Sequence, residues 1–101
     1  EVVPLEYMRG RNFHNTFMIL DEAQNATFEQ IKMFLTRTGR NSKAVINGDT
    51  EQSDLPKSMS GGLKYCMDRL FDIDRVGVSR LYSEDIIRNK IISKILERLY
   101  E

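Results

Sequence analysis

The sequence predicts an α/β fold in which a short parallel sheet carries flanking helices. Three short apolar segments, at residues 17–20, 44–46 and 76–81, alternate with three helical patterns along the 101 residues. Short apolar runs bounded by polar residues are typical of strands that are covered on both faces, as in parallel sheets. The order strand, helix, strand, helix, strand, helix is that of right-handed crossover connections.

The helical patterns show where each helix is expected. Thr27 and Gln30 fit a capping box, so we expect the first helix to follow Thr27 and Gly39 to stop it. The second is expected over residues 62–71, and the third from about Ser83 to the end of the sequence. We expect the buried stripe of the third helix to include Ile87, Ile91, Ile92, Ile95, Leu96 and Leu99.

The composition excludes several classes of protein. Fifteen basic and fifteen acidic residues give a net charge of zero, which excludes a histone-like basic tail and an acidic solvating tail. The single cysteine, Cys66, excludes an internal disulfide and a cysteine-based zinc site, and we expect it to pack as a small hydrophobe. No apolar run approaches the roughly twenty residues that cross a bilayer. The first residues lack the positive charge of a signal peptide. We therefore expect a soluble, cytoplasmic protein without a membrane partner.

The first predicted strand ends in two acids. Residues 18–24 read Met-Ile-Leu-Asp-Glu-Ala-Gln, the pattern of a hydrophobic strand followed by the acids of a Walker B motif. An acid at the carboxyl end of a buried parallel strand can hold Mg²⁺ on a nucleotide, and a second acid can polarise the attacking water. We assign the metal to Asp21 and the role of general base to Glu22. The alternative is a strand that simply turns polar at the surface.

The second predicted strand also ends in a polar cluster. Residues 47–52 read Asn-Gly-Asp-Thr-Glu-Gln, and we expect Gly48 and Asp49 to lie against the nucleotide, with Gly48 allowing a sharp bend. Gln52 can then hydrogen-bond to the terminal phosphate and to the attacking water. A Gly-Asp turn with an exposed amide is the alternative. Two polar strand ends one crossover helix apart favour a nucleotide site.

These strand ends belong to a longer pattern. Its segments are residues 4–11, 19–25, 29–30, 32–37, 48–52, 54–56 and 85–88. Together they resemble the PhoH-like proteins, P-loop ATPases whose core is similar to the first motor domain of DNA and RNA helicases. The resemblance covers nearly the whole sequence. It implies a partial RecA-like P-loop NTPase core, with residues 1–101 as the C-terminal part of a single ATPase domain.

The resemblance implies ATP binding and hydrolysis with Mg²⁺. It makes Asp21 and Glu22 the Walker B pair, and Gln24 and Gln52 the amides that sense the γ-phosphate. The sequence contains no G-x-x-x-x-G-K-[ST], and in the family this P-loop lies upstream of the segment seen here. The P-loop supplies most of the contacts to the phosphates. We therefore expect the 101 residues alone to bind ATP very weakly and not to hydrolyse it.

Arginines are the candidates for a finger that reaches an ATP on a neighbouring subunit. We name Arg37, at the end of the first helix, and Arg88, and we expect Arg37→Ala in a complete domain to abolish hydrolysis but spare ATP binding. A solvated surface arginine is the alternative for each. The family has His and Pro after the last arginine, where this sequence has Asn89 and Lys90.

The resemblance also implies partners other than ATP. It implies association with RNA and, for a complete domain, a homo-oligomeric ring. The alternatives are a non-catalytic module that binds a protein or RNA, and an interaction domain whose acidic strand ends are coincidental.

Weaker signals lie near the start of the sequence. His14, the single histidine, has no companions for catalysis or metal binding, so we expect it at the surface or at an edge. Tyr7 and Phe13, beside Arg9 and Arg11, fit either stacking on nucleic-acid bases or hinge packing.

Overall fold

The computed structural model of the chain describes residues 1–81 and 90–99, which form an α/β structure. The strands are β1 (Phe17–Leu20) and β2 (Lys43–Ile46), and the helices are α1 (Phe28–Thr36), α2 (Gly62–Leu70) and α3 (Lys90–Leu99). Two short 3₁₀ helices, Leu5–Tyr7 and Ala23–Asn25, precede and follow β1. The predicted class, a parallel sheet with flanking helices, is confirmed.

The sheet consists of β1 and β2, which pair in parallel with Phe17 opposite Lys43 and Leu20 opposite Ile46. Parallel neighbours begin at one edge of a sheet and end at the other. We call the side formed by residues 13–16 and 37–42 the amino edge, and the side formed by residues 21–25 and 47–54 the carboxyl edge. At about 3.3 Å per residue, the four-residue strands separate the two edges by about 13 Å.

Helix α1 crosses back from the carboxyl edge to the amino edge. Its capping box is present as predicted: the Thr27 hydroxyl accepts from the backbone N–H of Gln30 at 3.2 Å, and the side-chain Oε1 of Gln30 accepts from the Thr27 N–H at 2.9 Å. Ile31 is fully buried. The helix ends at Thr36, before Gly39, because the chain turns there to pair with the segment that precedes β1.

The core lies on one face of the sheet. Leu20 and Ile46 pack against a cluster in which Ile31, Leu63 and Cys66 are buried, and burial raises the pKa of the Cys66 thiol. Cys66 thus packs as a small hydrophobe, as expected. The opposite face remains open among the described residues, with Phe17, Ile19 and Val45 exposed. The expectation that both faces are covered is therefore wrong for this part of the chain.

The third predicted strand is also absent from the described residues. Residues 76–81 contain no strand, because a strand requires a paired neighbour and β1 and β2 pair only with each other here. Helix α3 is present, but its predicted start at Ser83 lies outside the described residues. The prediction that its apolar stripe is buried is wrong at Ile92, Ile95 and Leu99, which are exposed because no described element covers them. Within residues 1–81 and 90–99, no helix is long and apolar enough to cross a membrane.

Candidate functional site at the carboxyl edge

The ends of β1 and β2 are bonded together at the carboxyl edge. The Asn47 N–H donates to the Leu20 carbonyl at 2.9 Å, and the Ala23 N–H donates to the Asn47 carbonyl at 2.9 Å. The ladder therefore continues beyond both strands. It places the two acids Asp21 and Glu22 beside the polar residues that follow β2.

Glu22 has an unusual backbone conformation. It lies in the left-handed region, with φ 52° and ψ 41°. This region costs a residue other than glycine roughly 1–2 kcal/mol, and glutamate is not among the residues that favour it. The turn is held by Ala23, which is fully buried, and by the Asp21 carboxylate, which accepts from the Glu22 N–H at 3.0 Å. Both carboxylates remain exposed. A strained turn that presents acids to solvent points to a functional site.

Gln24 joins the two strand ends through its side chain. Its side-chain nitrogen Nε2 donates to Glu22 Oε2 at 2.7 Å, and its oxygen Oε1 accepts from the Asp49 N–H at 2.9 Å. The residue is only 8% exposed. The prediction that Gln24 senses a phosphate stays a prediction, but its amide already has two partners within the chain.

Gly48 is required for a reason other than the predicted one. Its φ is not positive, so the bend after β2 does not depend on the backbone freedom of glycine. A Cβ atom there would lie 2.8 Å from Gln24 Oε1 and 2.7 Å from Leu63 Cδ2. Glycine therefore allows close approach of the second strand end to Gln24, and the expectation of a sharp bend is corrected to close packing.

The loop that carries Gln52 is held at the same edge. The Gln52 N–H donates to the Asp49 carbonyl at 3.3 Å, and two residues further on the Asp54 N–H donates to Asn25 Oδ1 at 2.7 Å. The loop is thus fastened on both sides of Gln52, whose side chain is exposed. Sequence reasoning missed Asn25, because a lone asparagine after a strand carries no signal for a partner 29 residues away.

Arg37 lies at the opposite edge of the sheet. Its carbonyl accepts from the Phe13 N–H at 2.9 Å, which fixes it at the amino edge, away from Asp21. Its Nε is buried without a hydrogen-bond partner in the part of the chain that the structure describes. The prediction that Arg37 acts as a finger across a subunit boundary stays a prediction. Arg88 lies outside the described residues.

The weaker candidates near the start of the chain have structural partners. His14 is exposed at the amino edge, as expected, and its Nδ1 accepts from the Arg40 N–H at 2.8 Å. The guanidinium carbon of Arg11 lies 4.7 Å from the ring centroid of Phe13. Phe13 therefore stacks on an arginine of its own chain.

The donor set at the carboxyl edge fits a Mg²⁺ ion that arrives with a nucleotide. Among residues 1–81 and 90–99, no group of three His, Cys, Asp or Glu residues could hold a metal ion. Asp21 and Glu22 nevertheless offer the hard carboxylate oxygens that Mg²⁺ prefers. Mg²⁺ usually binds one or two carboxylates and takes its other ligands from phosphates and water. Asp21 is the residue that would hold it.

Comparison with known proteins identifies the family. A family model described as PhoH-like protein matches residues 1–101. The chain is 50% identical over 97 residues to the PhoH-like protein of Mycobacterium tuberculosis, covering 96% of this chain and 28% of that protein. It is 46% identical to the PhoH-like protein of Bacillus subtilis, covering 96% of this chain and 30% of the relative. It is 45% identical to Protein PhoH of Escherichia coli, covering 95% of this chain and 27% of that protein. The chain spans less than a third of the length of these relatives, and it belongs to the PhoH-like protein family.

Proposed function

We propose that this chain supplies the Mg²⁺-binding and water-activating half of an ATP-hydrolysing site. The observation that carries the proposal is the pair Asp21 and Glu22, exposed on a strained turn and tied through Gln24 to the end of β2. Adjacent strand ends of this kind form the ligand crevice of open α/β sheets. Membership of the PhoH-like family supports the same conclusion.

The proposed chemistry is attack of water on the γ-phosphate of ATP. The water oxygen bonds to the γ-phosphorus, the bond to the β,γ-bridging oxygen breaks, and ADP leaves with that electron pair. Glu22 accepts the proton that the water loses, and Gln52 orients the water against the phosphate. When bound, Mg²⁺ would neutralise negative charge on the phosphate oxygens. Asp21 is its protein ligand.

A chimera tests this function, because turnover also requires a P-loop. We would replace the matching segment of the Bacillus subtilis relative with residues 1–101 and measure ATP hydrolysis with and without Mg²⁺. We expect Mg²⁺-dependent turnover from the chimera and none from the 101 residues alone.

The substitution Glu22→Gln makes the test specific. It removes the proton acceptor but keeps the size of the side chain, so we expect kcat to fall by about 10²- to 10⁴-fold while ATP still binds. Glu6→Gln is the matched control, since Glu6 is exposed and precedes the amino edge. Turnover that Glu22→Gln leaves unchanged would refute the proposal.

We extend the proposal to Arg37 as a finger that acts on a neighbouring copy in a homo-oligomer. The backbone of Arg37 lies at the amino edge, about 13 Å from the carboxyl edge of the same copy, and this separation supports action between copies. Mixing inactive Arg37→Ala chimeras with inactive Glu22→Gln chimeras should restore turnover, because mixed pairs combine one intact base with one intact arginine. If mixing restores nothing, Arg37 is not the finger. Association with RNA rests on the family resemblance and stays a prediction.

The open face of the sheet favours a second candidate, a non-catalytic module that binds another protein. Phe17 and Ile19 are 63% and 59% exposed, which is unusual for residues of a strand. A chimera that binds Mg²⁺-ATP but never hydrolyses it would favour this candidate.

A further inference from the structure

We propose that Gln24 is a positioning residue for Glu22 and does not read the γ-phosphate of ATP. The proposal rests on the hydrolytic function proposed above, because it concerns how the general base of that site is held. The side chain of Gln24 makes two hydrogen bonds: it donates to Glu22 Oε2 at 2.7 Å and accepts from the Asp49 N–H at 2.9 Å.

Glu22 needs such a partner because its side chain is exposed. An exposed glutamate samples several rotamers, and a general base must lie within hydrogen-bond reach of the water it deprotonates. A bond to a charged acceptor is shorter and stronger than one between neutral groups. The bond from Gln24 engages Oε2, so we expect Oε1 to be the oxygen that faces the attacking water.

The burial of Gln24 makes this link rigid. The residue is 8% exposed, directly follows the fully buried Ala23, and approaches Gly48 so closely that no other residue fits there without movement. A side chain packed in this way cannot swing out to meet a ligand without breaking both bonds. It is therefore suited to fixing the groups that it contacts.

The second hydrogen bond of Gln24, which its Oε1 accepts from the Asp49 N–H, links Glu22 to the segment that follows β2. Asp49 starts the turn that carries Gln52, because its carbonyl accepts from the Gln52 N–H at 3.3 Å. Gln24 thus connects the proposed base on one strand end with the loop that holds the exposed amide on the other. Between the two glutamines, the exposed Gln52 is the one placed to contact phosphate.

The test is the steady-state kinetics of the chimera with Gln24→Met. Methionine keeps the length of the side chain and loses both bonds. We expect kcat to fall by about 10- to 100-fold, as for other losses of groups that orient a reacting residue, while KM for ATP changes little. A rise in KM at constant kcat would show that Gln24 contacts the nucleotide, which overturns the proposal.

A double variant separates positioning from a merely structural role. If Gln24 acts through Glu22, Gln24→Met should cause no further loss of kcat in a Glu22→Gln background. Losses that multiply in the double variant would indicate a structural role and overturn the proposal. If Gln24→Met does not fold, Gln24→Glu replaces it, since glutamate keeps the acceptor for the Asp49 N–H and removes the donor to Glu22.

Failure of the positioning proposal for Gln24 can be distinguished from failure of the proposed ATP hydrolysis. A chimera with wild-type residues that has no ATP turnover, or one that Glu22→Gln does not impair, refutes the general base itself. The positioning proposal falls with it, since there is then no base to position. Active chimeras in which only the behaviour of Gln24→Met departs from expectation refute the positioning proposal alone.

Discussion

At the amino edge, polar side chains bond to backbone groups. Ser42 Oγ accepts from the Thr16 N–H at 3.0 Å and donates to the Phe13 carbonyl at 2.8 Å, while His14 accepts from the Arg40 N–H. At the carboxyl edge, five acids are exposed beside the buried amide of Gln24: Asp21, Glu22, Asp49, Glu51 and Asp54. Polar side chains of the amino edge therefore bond to backbone groups of that edge, whereas the carboxyl edge presents acids to solvent.

Backbone conformation shows the same contrast. The amino edge uses Asn15 and Asn41 at its two left-handed positions, both with φ 54°, and asparagine tolerates that region well. The carboxyl edge places Glu22 there, with φ 52°. The left-handed positions are thus occupied by well-suited asparagines at the amino edge and by a strained glutamate at the carboxyl edge. Strain of this kind is typical of a functional site, where the side chain is needed for its chemistry.

Among the variants that compare the two edges, loss of Asp21, the proposed metal ligand at the carboxyl edge, should have the largest effect. We expect Asp21→Asn in the chimera to raise the Mg²⁺ concentration for half-maximal turnover by at least about 10- to 100-fold, the loss seen when even an outer partner of a metal site is removed. This concentration is measured by following ATP turnover while Mg²⁺ is titrated. Asp72→Asn is the control, since Asp72 is exposed after α2. An unchanged titration would exclude Asp21 as the ligand.

Each edge contains one closely packed glycine, and alanine there should destabilise the fold. A Cβ at Gly39 would contact His14 Nδ1 and lie 2.6 Å from the Phe13 carbonyl, and one at Gly48 would contact Gln24. Overpacking of this kind costs roughly 1–3 kcal/mol of unfolding free energy. Gly77→Ala is the control, because nothing lies within 4 Å of its Cβ position. Unfolding in denaturant measures the free energy of unfolding of each of the three variants.

Turnover distinguishes the two glycines. At a temperature where both chimeras are folded, Gly39→Ala should keep kcat and Gly48→Ala should lower it, because only Gly48 contacts the residue that bonds Glu22. Equal effects on kcat would remove the functional difference between the edges.

The smallest effect should come from Ser42→Ala at the amino edge. The change removes the acceptor of the Thr16 N–H, which is partly buried, so we expect a loss of about 1 kcal/mol in unfolding free energy. The kcat of the chimera should stay unchanged. A fall in kcat without a fall in stability would contradict a purely structural role for Ser42.

Local signals in the sequence predicted much of this architecture. The capping box at Thr27 and Gln30 depends on residues three apart, and the Asp-Glu pair after β1 depends on adjacent ones. Such patterns can be recognised without knowing the fold. They located α1, both strands and the polar strand ends correctly.

Features that depend on pairing across the sheet could not be predicted in the same way. The bond from Gln24 to Asp49 joins residues 25 apart and exists only in the register that β1 and β2 adopt. The left-handed turn at Glu22 is set by the bonds around it, against the preference of the residue. Residues 76–81 show the reverse case, since an apolar segment forms a strand only where a neighbour pairs with it.

We propose that the carboxyl edge holds the metal–nucleotide complex. Mn²⁺ in place of Mg²⁺ tests it directly, because a bound Mn²⁺ broadens the NMR signals of nearby nuclei with a steep dependence on distance. In the chimera with Mn²⁺ and ADP, we expect broadening of the backbone amide signals of Asp21, Glu22 and Asp49, with much less at His14 and Arg40. Broadening that is stronger at the amino edge than at Asp21, Glu22 and Asp49 would contradict the account.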